Sequence, residues 1–145
     1  MSKALRVGID IHGVLDEKII TEGIVRKWMT FGHEIHIITG ESWGTAMETV
    51  KSLDIPHDYH FSIVDYHMAK GTKMEKRDTG WYMENDEWDR AKGDYCHRES
   101  IDIMFDDTAR YSIWMPPKTN FVLIDDRFRL FVKAMSDLSG IINKA

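Results

Sequence analysis

The stretch Arg6-Val7-Gly8-Ile9-Asp10-Ile11-His12-Gly13-Val14-Leu15 decides how the rest of the chain is read. An apolar run stops at a carboxylate, and a glycine follows three residues later. This predicts a buried strand over 6–10 with a turn directly behind it. A strand that is apolar on both faces belongs in a parallel sheet covered by helices on both sides.

The chain on either side of this stretch repeats the theme. Ile20, Ile24 and Trp28, with Val25 and Met29 beside them, predict a helix from Glu17 to Phe31, stopped by Gly32. Residues 34–39 (EIHIIT) predict a second strand ending at Thr39-Gly40. A helix from Ser42 or Trp43 to Leu53 follows, with Ala46, Val50 and Leu53 inward and Pro56 beyond its end. Further strands are expected at 60–66 (HFSIVDY), 101–105 (IDIMF) and 121–124 (FVLI). A last amphipathic helix over 128–138 carries Leu130, Phe131, Ala134, Met135 and Leu138. Strands alternating with helices predict an α/β domain with a mostly parallel five-stranded sheet.

Residues 67–93 (HMAKGTKMEKRDTGWYMENDEWDRAKG) break the alternation as an insertion after the third strand. Met74-Glu75-Lys76 and Trp81-Tyr82-Met83 flank Arg77-Asp78-Thr79-Gly80, which predicts a β-hairpin. Asn85 or Asp86 then caps a short helix ending near Lys92-Gly93.

Composition narrows the functional classes. The 145 residues are enough for one domain, and 43% hydrophobic with 30% charged residues indicates a globular chain. No apolar run approaches the ~20 residues that span a bilayer. Met1 to Val7 lacks the apolar stretch of a secretory signal behind it. The single cysteine, Cys96, excludes an internal disulfide framework and a multi-cysteine zinc site, so a cytoplasmic location is expected. A net charge of −5 disfavours a broad nucleic-acid surface.

Asp10, Thr39 and Asp106-Asp107 all fall at predicted carboxyl ends of strands, where open α/β sheets bind their ligands. Three carboxylates gathered in a low-dielectric cleft repel one another unless a cation sits among them. Hard oxygen donors suit Mg²⁺. Each residue also has an ordinary structural reading. Asp10 and Asp106-Asp107 could cap turns, and Thr39 could cap the next helix. A second Asp pair, Asp125-Asp126, also ends a strand and is read as the cap of the last helix.

This pattern resembles the haloacid dehalogenase-like (HAD) superfamily of phosphotransferases. Val7-Gly8-Ile9-Asp10-Ile11-His12-Gly13-Val14-Leu15 matches its first motif, an apolar strand followed by D-x-D-G-[TV], except at one position. Ile37-Ile38-Thr39-Gly40 matches the second, and Ile103-Met104-Phe105-Asp106-Asp107 the fourth. The third is a lysine, for which Lys92 fits best, with Lys70 and Lys73 as weaker candidates. The resemblance implies a single Rossmann-like three-layer domain with strand order 3-2-1-4-5. It implies that Asp10 is a nucleophile forming an aspartyl-phosphate. Mg²⁺ would be held by Asp10, Asp106, Asp107 and the backbone carbonyl of His12. Phosphate oxygens would be held by Thr39 and the backbone around Gly40 and Gly13, and Lys92 would offset the negative charge.

The one departure is His12, which stands where many members carry a second, acid/base aspartate. Either the imidazole takes over that proton transfer, or acid/base catalysis is lost. The chain has no room for a large cap and is similar to small, phage-type members of the superfamily. More distantly, it is similar to the phosphatase half of polynucleotide kinase-phosphatase. Members with such an open site take large substrates or borrow a cover from a second subunit, which makes a homo-oligomer an expectation here. The aromatic hairpin residues Trp81 and Tyr82, with Trp88, could stack a base or a sugar. The expected activity is an Mg²⁺-dependent phosphomonoesterase acting on a nucleotide, a nucleic-acid end or another phosphorylated metabolite. The competing expectation is a non-hydrolytic phosphate-ligand binder on the same scaffold.

Overall fold

Parallel neighbours need crossovers, and the chain supplies one between each pair of strands. The computed structural model describes residues 3–144. The main sheet is built from β1 (Arg6–Ile9), β2 (Glu34–Thr39), β3 (Tyr59–Ser62), β6 (Ile103–Asp106) and β7 (Asn120–Leu123). Its order is β3-β2-β1-β6-β7, and every pairing is parallel. Counting only these strands, this is the expected 3-2-1-4-5 order of a Rossmann-like three-layer fold. The direction of strand addition reverses between β1 and β6, which opens a crevice at their carboxyl ends.

Alternate residues of the central strands feed two cores. Val7, Ile9, Ile35, Ile37 and Phe105 pack with Ile20, Val25, Ala46 and Val50 on one face. These last come from α1 (Lys18–Ile20), the wide turn Thr21–Val25 that continues it, and α3 (Trp43–Ser52). Trp28 of α2 (Arg26–Thr30) closes the same core. On the other face Ile38 and Met104 pack with Ile63 of α4 (Ile63–Lys70) and with Ala91, Tyr95 and Cys96 of α5 (Asn85–Arg98). Among the described residues no helix is long and apolar enough to cross a membrane.

Five elements differ from the sequence reading. The strand expected over 60–66 ends at Ser62. The Ser62 hydroxyl accepts from the Asp65 N–H at 3.0 Å and donates to the Glu41 carbonyl at 2.5 Å, which caps α4. The apolar run hides this boundary because Ile63 and Val64 stay buried on the helical side of it.

The hairpin pairs β4 (Glu75–Arg77) with β5 (Gly80–Tyr82), so its turn is Asp78-Thr79. The helix behind it does not stop near Lys92-Gly93 but runs to Arg98, capped at its start by the Glu84 carboxylate. Gly93 is a contact glycine, not a stop. The short 3₁₀ segment Ala109–Trp114 crosses the helix there, and a Cβ on Gly93 would stand 2.1 Å from the Trp114 carbonyl oxygen. Gly93→Ala should therefore destabilise despite its better helix propensity. We expect a net cost of about 1–3 kcal/mol, read as a fall in melting temperature.

The last helix, α6, spans Asp126–Lys144. Its expected inner stripe faces outward, with Leu130, Phe131, Met135 and Leu138 all exposed and Val132 buried instead. Arg129 fixes the rotation by bonding the Gly13 carbonyl at 2.8 Å, which turns Phe128 and Val132 inward. Leu53, expected to face inward at the end of α3, is also exposed.

Candidate active site

The register of β1 and β6 sets Ile9 against Phe105, so the next residue of each strand, Asp10 and Asp106, emerges at the same edge. Asp10 N–H donates to the Phe105 carbonyl at 3.0 Å. Behind it the chain closes a tight loop, with the Asp16 N–H bonded to the Ile11 carbonyl at 3.0 Å. Ile11, Val14 and Leu15 pin this loop into the core. Gly13 sits in the left-handed region at φ 76°, and a Cβ there would lie 2.2 Å from Asp107 Oδ2. The motif glycine thus makes room for the third carboxylate. The Gly13 N–H donates to Asp16 at 2.9 Å, which holds the turn.

Asp10, Asp106 and Asp107 each present a carboxylate oxygen within 4.8 Å of the others, a grouping able to hold a metal ion. Lys92 reaches this cluster from the middle of α5. Its Nζ donates to Asp106 at 2.7 Å and to Asp10 at 3.2 Å, and it lies 4.6 Å from the centre of the Tyr111 ring. Lys92 is 2% exposed, Asp10 7% and Asp106 0%. Asp106 also accepts from the Thr108 N–H at 3.0 Å. Lys70 and Lys73, the alternative lysines, are exposed, and Lys70 lies over Tyr66.

Three carboxylates against one ammonium leave two negative charges, which a divalent cation would balance. Burial pushes Asp10 up from 3.8 to about 6, and neighbouring Asp106 and Asp107 add to this, outweighing the pull of Lys92. Asp106 is raised too, again by burial first. Burial would lower Lys92, but the two carboxylates overcome it and hold the lysine above its ordinary range. The donor set and the excess charge fit a hard divalent ion.

A pH dependence follows from Asp10. Between pH 3.8 and about 6 the folded chain keeps a proton there that the unfolded chain has released. The stability tied to that proton is complete below this window and is lost as pH rises through it. In metal-free protein Asp10→Asn, which copies the neutral form, should gain on wild type between pH 4 and 7 by on the order of 3 kcal/mol. Parallel urea titrations at the two pH values check this.

Thr39 ends β2 beside Asp10 and is fully buried, its hydroxyl accepting from the Glu41 N–H at 3.2 Å. Gly40 follows at the rim. Nε2 of His12 contacts the Glu41 carboxylate, and its Nδ1 lies 3.7 Å from Asp16. The imidazole is half exposed. Trp81 and Tyr82 are not among the carboxylates. They line a neighbouring groove that begins at Gly40 and Glu41. Asp125 and Asp126 lie outside the cluster, both exposed, with Asp125 accepting from the Phe128 N–H at 2.9 Å as a helix cap.

Sequence reasoning missed Glu41, Thr108, Tyr111 and Arg129. Glu41 and Thr108 follow motif residues closely enough to be suspected. Tyr111 and Arg129 carry no local signal. A surface depression of about 620 Å³ lies at the opposite edge of the sheet around Arg6, His97, Asp102 and Lys118, and holds none of the site residues. Comparison with protein-family models, with curated proteins and with solved structures finds no match for this chain, so the chemistry of the crevice must be read from its own residues.

Proposed function

We propose that the chain is a metal-dependent phosphomonoesterase of the HAD type. The observation that carries this is the meeting of Asp10, Asp106, Asp107 and Lys92 at the switch point, with two negative charges in excess and Thr39 on the adjoining strand. Asp10, Asp106, Asp107 and the backbone carbonyl of His12 would hold Mg²⁺, whose charge lets a carboxylate approach a phosphate anion. The Asp10 carboxylate attacks phosphorus and forms an aspartyl-phosphate as the ester oxygen leaves. Lys92 keeps Asp10 ionised and aligned. The Thr39 hydroxyl and the backbone N–H groups beside it bind phosphate oxygens. His12, steadied by Glu41, gives a proton to the leaving oxygen and then takes one from water. That water attacks the aspartyl-phosphate, releases inorganic phosphate and restores Asp10.

Phosphate release from a panel of phosphomonoesters, with Mg²⁺ and with a chelator, tests the reading. Mg²⁺-dependent release with a hydroxylamine-sensitive phosphoenzyme is expected. Tight phosphate-ester binding without release would instead identify a non-hydrolytic binder. His12→Ala should lose about 10²–10⁴-fold in rate on alkyl phosphates and much less on aryl phosphates, whose leaving groups need little protonation. Equal losses on both would remove His12 from the proton transfer.

A further inference from the structure

The groove next to the carboxylates is the second chemical feature of this edge. It has a volume of about 360 Å³, and Gly40, Glu41, Trp81, Tyr82, Trp88 and Arg110 are among its lining. It shares chain elements with the crevice at three points. Gly40 follows Thr39 directly. Glu41 touches His12. Trp88 and Lys92 lie four residues apart on one face of α5, and the Trp88 Nε1–H donates to the Tyr111 hydroxyl at 3.2 Å beneath Lys92. The groove and the crevice therefore adjoin through Gly40, Glu41 and Trp88.

The lining has the chemistry of a flat ligand, with Trp81, Tyr82 and Trp88 among its residues. Trp88 lies against Gly40, where a Cβ would come within 3.2 Å of the indole, so the absence of a side chain keeps the two surfaces close. Trp81 and Tyr82 bring two more rings from β5. Lys76 lies 5.5 Å from the Trp81 ring centre and Arg77 lies 4.3 Å from that of Tyr82. Arg110 is held in the wall by Asp89 at 2.9 Å. Lys76 and Arg77 lie outside the lining, Arg77 is paired with Glu75 at 3.0 Å, and Glu41 offsets Arg110 in the wall, so the three rings define this surface.

We propose that this groove is a base-stacking subsite and that the site takes a nucleoside phosphate, its base on the hairpin rings and its phosphate at the carboxylates. The proposal rests on the phosphatase reading only for the placement of the phosphate. Rings offer every base a stacking face, which is what a base carried by a phosphate in the crevice requires.

Binding separates this from turnover. Calorimetry on Asp10→Asn with Mg²⁺ would compare the four common nucleoside 5′-monophosphates with ribose 5-phosphate. At least one nucleotide should bind about tenfold more tightly than the base-free ester. Trp81→Ala should erase most of that difference and Trp81→Phe should keep most of it, with circular dichroism confirming the fold of each. A 5′- or 3′-phosphorylated tetranucleotide binding more tightly still would identify the nucleoside phosphate as a strand end. Equal affinity for ribose phosphate and all nucleotides would overturn the subsite, as would undiminished nucleotide preference in Trp81→Ala. Failure of the phosphatase reading shows elsewhere, as an absence of phosphate release by wild type from every ester.

Discussion

Asp10→Asn should leave a folded protein that releases phosphate at least about a thousandfold more slowly than wild type. The amide keeps the shape of the side chain but cannot attack phosphorus as an anion. The fold should survive for reasons visible in the cluster. Lys92 keeps its shorter bond, 2.7 Å to Asp106, and one of three mutually repelling carboxylates is gone. Loss of activity with an unchanged or raised melting temperature at pH 7 is the expected pair of results. Asp125→Asn, at an exposed helix cap, serves as the control for charge removal at the other Asp pair. Turnover above about a thousandth of wild type in Asp10→Asn would end the nucleophile assignment.

The parts of this site that were legible in the sequence share one property. Buried parallel strands read as unbroken apolar runs, so a polar residue at their end is conspicuous. Asp10, Thr39 and Asp106 were visible for that reason, and the order of their strands followed from the motifs. The rest depends on contacts that no local pattern encodes. Lys92 is singled out only as the lysine that best fits the third motif the resemblance implies, and it reaches the carboxylates because α5 continues past it to Arg98. Gly93 imitates a helix stop, but its missing side chain admits the 3₁₀ segment. Arg129 meets Gly13 across 116 residues, a pairing set by topology alone. The same pairing turns the α6 stripe outward, where periodicity gave a strong amphipathic signal without saying which neighbour the helix would find.

Lys92→Met should produce the largest change in stability of any single substitution in the crevice. The new side chain fills a similar volume and removes the charge. Asp10 and Asp106, both buried, would then face each other and Asp107 with no cation among them. Removing one partner of a buried ion pair costs about 3–5 kcal/mol because the other is left uncompensated. At this chain length that corresponds to a fall in melting temperature of roughly 10 °C. The deficit should shrink as pH falls, since protonating the carboxylates relieves it, and added Mg²⁺ should recover part of it. Overpacking or lost volume would produce none of this pH dependence. The triple variant Lys92→Met, Asp10→Asn, Asp106→Asn separates charge from shape. With both carboxylates neutralised it should regain most of the lost stability at pH 7 while staying inactive. If the triple variant melts as low as Lys92→Met alone, the ammonium holds the crevice together by its packing against Tyr111 and not by its charge, and the excess negative charge that argues for a divalent ion loses its support.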